Sequence, residues 1–151
     1  MKKYLTIGLS IFIVLTLTFI FANSLDSVTE SQQKSEAVLE RVWFLLEGVV
    51  GKENAEHLVR KLAHFCEFFA LGIQMSALSF LYYSSKRSLY FSITLPLFCG
   101  LLVALTDETV QIVSERGSQV QDVWLDFSGV CVGTAMIFAV WIIRKKRRES
   151  C

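Results

Sequence analysis

The chain has 151 residues, enough for one domain. Hydrophobic residues make up 53% of it and charged residues 19%, with one proline and a formal net charge of +1. The charges are segregated from long apolar runs, which argues against a water-soluble core and for an integral membrane protein.

The first apolar run covers residues 5–22, after Lys2 and Lys3. A run of ~18 apolar residues sits at the short end for a spanning helix. It also resembles a signal peptide, with Ile20-Phe21-Ala22 as a cleavage context. An uncleaved span is the preferred reading, because the h-region is long and the remainder is itself membrane-embedded.

Residues 23–36 are rich in Ser, Gln and Glu and read as a hydrated linker. From 37 to 50 the pattern changes. Leu39, Val42, Trp43, Leu46, Val49 and Val50 recur at helical spacing, opposite Glu36, Glu40 and Glu47. A helix of ~14 residues is too short to span and fits the membrane surface. It is either a lid over a polar mouth or a packing helix.

The second span is predicted over 62–83, with its helix entered from an N-cap at Asn54. The third covers 89–105 and contains Pro96, which predicts a kink or a rewound turn. The fourth covers 127–143, and before it Ser118 and Gln121 have capping-box spacing, with Gly117 ahead of them. Tyr4, Tyr82, Tyr83, Tyr90, Trp124 and Trp141 suit interfacial anchoring.

Basic residues orient the spans. Nine of them, Lys2, Lys3, Lys86, Arg87 and the run from Arg144 to Arg148, fall on one side. Residues 23–61 and 106–126 fall on the other, with six basic against twelve acidic residues between them. The positive-inside rule then places both termini in the cytoplasm. The expected fold is all-α: four transmembrane helices and one outer interfacial amphipathic helix, in a single domain over 1–151 of a multi-pass cell-membrane protein.

That topology gathers the polar residues at one face. Lys61, His64 and Glu67 step by three. Asp107 and Gln111 are four apart, as are Asp122 and Asp126, and Glu108 precedes Gln111 by three. Gly129 and Gly133 continue the fourth helix with a smooth surface for close helix packing. Five carboxylates cannot all stay ionised in a poorly hydrated place, so cations, protons or a bound metal must offset some of them.

Three readings stay open: a salt-bridge network that fixes the bundle, a binding or catalytic site, and a proton or ion pathway. His64 beside a carboxylate would serve as a general base pair. His64, Glu67 and aspartates from two other helices would suit a divalent metal. Whether the protein is an enzyme stays open, since no hydrolase, zincin or nucleotide-loop motif occurs. His57 reads as a solvated loop residue. Cys99 and Cys131 read as small packing residues, while Cys66 offers a soft metal ligand as the alternative.

The segments Lys61-Leu-Ala-His64-Phe65-Cys-Glu67, Asp107-Glu108-Thr-Val-Gln111, Arg116, and Asp122-Val-Trp-Leu-Asp126-Phe-Ser-Gly129 with Gly133 resemble the VanZ-like membrane proteins. That family takes its name from a teicoplanin-resistance protein of Gram-positive bacteria. The resemblance implies a small multi-span envelope protein and low-level glycopeptide resistance, with no reaction attached. It marks Lys61, His64, Asp107, Glu108, Gln111, Arg116, Asp122 and Asp126 as the recurrent residues. One departure is Ser114-Glu115, where members often carry Pro-Gly, so the turn before Arg116 differs. The expected function is binding or modifying an envelope component at an outward polar site. The alternatives are an interfacial hydrolase or transferase acting on a lipid head group, and a structural partner-binding bundle. Expected partners are the lipid bilayer, a lipid-linked or wall precursor and a second copy of the chain, but not nucleic acid.

Overall fold

The computed structural model describes residues 2–46, 51–83, 89–113 and 119–150. Five helices follow one another: α1 (Lys2–Ser24), α2 (Val28–Leu46), α3 (Lys52–Tyr83), α4 (Leu89–Val113) and α5 (Val120–Glu149). The described residues contain no strand. Four helices are long and apolar enough to cross a membrane: α1, most of α3, α4 and most of α5.

Helix α3 is the hub, packed against each of the other four. Its 32 residues span ~48 Å at 1.5 Å per residue, against ~30 Å of hydrocarbon. The surplus lies before the apolar run and carries His57, Arg60 and Lys61. Likewise α4 continues to Val113 and α5 begins at Val120, beyond the apolar runs that end at 105 and begin at 127. Apolar composition reports the part of a helix in lipid. Hydrogen bonding carries the helix on through its polar ends.

The core joins Ile20 of α1, Phe68 and Leu71 of α3, Ala104 of α4 and Val130 of α5, all fully buried. Close approach of α3 and α5 depends on glycine. A Cβ on Gly129 would stand 2.6 Å from the backbone oxygen of Phe65, and one on Gly133 would stand 2.5 Å from that of Phe69. A Cβ on Gly72 of α3 would likewise stand 2.6 Å from the backbone oxygen of Val130. The small-residue face read from the sequence is thus occupied by this chain's own α3.

Polar links cross the apolar interior. Ser76 donates to or accepts from Thr134 at 2.9 Å, and the Thr16 hydroxyl donates to Gln74 Oε1 at 3.0 Å. Interhelical hydrogen bonds of this kind contribute ~0.6 kcal/mol each in a membrane. Outward, α1 shows Ile11, Phe12, Val14, Leu15 and Phe19, as a helix facing lipid does.

Several local expectations change. Residues 28–36 are helix rather than linker, because Ser27 and Glu30 form a reciprocal cap. The Ser27 amide donates to Glu30 Oε2 at 2.9 Å, and the Glu30 amide reaches back to Ser27 Oγ at 3.4 Å. The backbone and side-chain hydrogen bonds from Ser27 hold the Glu30 carboxyl below its ordinary value. Leu39, with Val42 and Trp43 behind it, packs on Ala55 and Val59 of α3. Helix α3 starts at Lys52, two residues before the expected cap at Asn54. Pro96 is fully buried within one continuous α4. The cap of α5 is Gln119, extended and without a side-chain cap bond. Gly117, Ser118 and residues 47–50 lie outside the described residues.

Candidate functional site

The C-terminal ends of α1 and α4 meet the N-terminal half of α3 and the start of α5 at one end of the bundle. Side-chain pairs across these helices show it. The Ser24 hydroxyl of α1 donates to Asp107 Oδ1 of α4. Asn23 Nδ2 donates to Glu67 Oε1 of α3 at 3.1 Å. Lys61 Nζ of α3 lies 3.0 Å from Asp122 Oδ1 of α5. Eight of the nine sequence-predicted polar residues are brought together here. Arg116, the ninth, lies outside the described residues.

Asp107 is the most heavily held group. It is fully buried. Besides Ser24, it accepts from Gln111 Nε2 at 2.7 Å, one helical turn along α4. His64 Nδ1 stands 3.9 Å from Asp107 Oδ2, beyond hydrogen-bond range but close enough for an ion or a small shift to join them. Glu108 and Gln111 are also buried.

A cavity of about 130 Å³ opens among α3, α4 and α5. Arg60, Lys61, His64, Glu108, Asp122 and Asp126 line it, together with His57, Gln111, Gln119 and Leu125. Cations lie towards the N-terminal end of α3, while Glu108 and Asp126 supply acid. Asp126 is 1% exposed, and Asp107, Glu108, Asp122 and Glu67 all bear on it electrostatically.

Some placements depart from the sequence reading. Glu67 turns to Asn23 of α1, and a second link runs from Lys34 of α2 to Asn23 Oδ1 at 3.3 Å. His57 is not a loop residue but part of α3 and of the cavity wall. Cys66 is exposed, on another side of α3 from the buried centre. Among the described residues none of α2 lines the cavity, and Leu39 of α2 packs on Ala55 and Val59 of α3. Asn23 and Ser24, polar residues at the end of the first apolar run, are expected from the topology at the depth of these groups; the structure adds their partners, Glu67 and Asp107.

This arrangement defines a class: a small multi-span membrane protein with a charged centre enclosed at one end of its helical bundle. A family model described as VanZ/LLP1 matches residues 9–143. The chain therefore belongs to the VanZ/LLP1 family. No curated protein and no solved structure matches it.

Proposed function

We propose that the cavity is a binding site, open to the outer face of the cell membrane, for the polar head of an envelope component. The observation behind this reading is a cavity lined by Arg60 and Lys61 as well as by Glu108 and Asp126. Cations suit a phosphate or carboxylate on the ligand, and carboxylates suit its hydroxyl or amine donors. At about 130 Å³ the cavity is smaller than the ~300–1,000 Å³ of typical ligand sites. A head group fits, and the tail of a lipid-linked precursor stays in the bilayer. The outward direction is supported by the basic residues, whose distribution favours cytoplasmic termini on the positive-inside rule. On this reading α2, with Glu36 and Glu40 exposed, lies along the outer surface.

The name of the family suggests reduced teicoplanin susceptibility as the phenotype to score. The test expresses His64→Ala, Glu108→Ala and Asp126→Ala at matched membrane levels and scores susceptibility. Each variant is expected to lose the protection given by the unaltered chain. Full protection by all three, with normal insertion, would leave the polar residues a scaffolding role and end the proposal.

A second reading is favoured by His64 facing Asp107 at 3.9 Å. Joined by a small shift, this carboxylate and imidazole would make a general base pair, and the site would hydrolyse or transfer a lipid head group. Purified protein incubated with labelled envelope lipids, with and without chelator, should then release labelled product. No turnover under either condition counts against it.

A further inference from the structure

Five carboxylates, Glu67, Asp107, Glu108, Asp122 and Asp126, converge at the polar end, and they are not equally provided for. Lys61 stands by Asp122, Asn23 donates to Glu67, and Ser24 and Gln111 donate to Asp107. Asp126 differs. Its carboxylate borders the cavity at 1% exposure, and neither oxygen has a hydrogen-bond partner among the described residues. A buried carboxylate in that condition needs a counter-charge or a proton.

Two neighbours are placed to share a counter-ion with it. One ligand atom each from His64, Asp107 and Asp126 lies within 4.8 Å of the others. Tetrahedral ligands of one ion at ~2.0–2.2 Å are themselves ~3.3–3.6 Å apart, so a contraction of at most ~1.5 Å closes the set. From this geometry we infer that His64 and Asp126 of the cavity wall, together with the fully buried Asp107, form a binding site for a divalent cation of the zinc type.

The chemistry of the set narrows the choice of ion. An imidazole with two carboxylates suits zinc, whereas magnesium and calcium take all-oxygen shells. Two carboxylates and a neutral imidazole sum with Zn²⁺ to zero charge, which is what a poorly hydrated site favours. Ser24 and Gln111 orient Asp107 from behind and leave it lone pairs for the ion, as outer partners of metal ligands do. Three protein ligands leave a fourth position open towards the cavity, where a phosphate or carboxylate oxygen would sit. Cys66 is exposed, so sulfur takes no part.

This deepens the reading above and rests on it in taking the cavity as the working site. The full chain in phospholipid nanodiscs, stripped with chelator, is titrated with Zn²⁺ against a fluorescent competitor. One Zn²⁺ per chain is expected. D126N and H64A should weaken binding at least ~10-fold, and E36Q, an exposed acid of α2, should leave it unchanged. X-ray absorption on the zinc-loaded unaltered chain supplies a readout that needs no variant. It should show nitrogen and oxygen ligands, imidazole among them, and no sulfur.

Failure of the unaltered chain to bind zinc, a sulfur ligand, or wild-type affinity in D126N overturns the site. Zinc binding with teicoplanin protection intact in every variant keeps the cation site and removes the drug-related reading. Loss of protection without zinc binding does the reverse.

Discussion

At the residue scale, burial rather than charge decides what each group of the centre contributes. Lys61 and Asp122 are an ion pair with side chains 30% and 27% exposed. Partly hydrated pairs of this kind contribute ~0–1 kcal/mol. Ser24 is an uncharged hydroxyl, yet it is fully buried and donates to a fully buried carboxylate. Taking that donor away strands a buried acceptor, at about 1–3 kcal/mol. Ser24→Ala should therefore destabilise the protein more than Lys61→Met, as read by denaturation in mixed micelles. Equal effects would show that Asp107 does not depend on α1. The acids were legible in the sequence, because ionisable residues at the edges of apolar runs stand out. Their pairing was not. Ser24 and Asp107 are 83 residues apart, and neither spacing nor composition relates two helices to each other.

At the element scale, the apolar runs marked four of the five helices but not their ends. Hydropathy falls at Thr106, whereas the α4 helix persists to Val113 and carries Asp107, Glu108 and Gln111 in place. The start of α2 was missed because Ser, Gln and Glu read as solvated chain, while the Ser27–Glu30 cap is a local signal that overrides composition. The spacing of Gly129 and Gly133 announced a close helix contact without naming the other helix. Position decides what a glycine is worth here. A Cβ on Gly133 meets the backbone of Phe69 and Ile73 at 2.5 and 2.8 Å, and one on Gly8 meets nothing within 4 Å. Gly133→Ala should thus destabilise by about 1–3 kcal/mol. Gly8→Ala should be neutral or stabilising by up to ~1 kcal/mol through helix propensity. Thermal unfolding in detergent compares the two, and a tolerated Gly133→Ala would mean that α3 and α5 separate without loss.

At the scale of the whole molecule, four crossings place the end of α1, the upper half of α3, the end of α4 and the start of α5 at a common level. The common level is visible in the contacts, while the side of the membrane it faces rests on the basic residues at the other ends. In a chain freed of its own cysteines, Gln33→Cys should react with a membrane-impermeant thiol reagent added to intact cells. Ser150→Cys should react after the cells are opened. The opposite pattern would turn the cavity towards the cytoplasm and take away its access to wall precursors.

The link between Ser24 and Asp107 also sets an order of events during synthesis. Ser24 leaves the ribosome early, and its carboxylate partner follows 83 residues later. Asp126, on the final helix, comes last. Until α5 is inserted, Asp107 waits in the membrane with one wall of its enclosure missing. The centre therefore closes only once α5 is in place: a chain halted before Val120 leaves the acids of α4 without the wall that Asp122 and Asp126 supply.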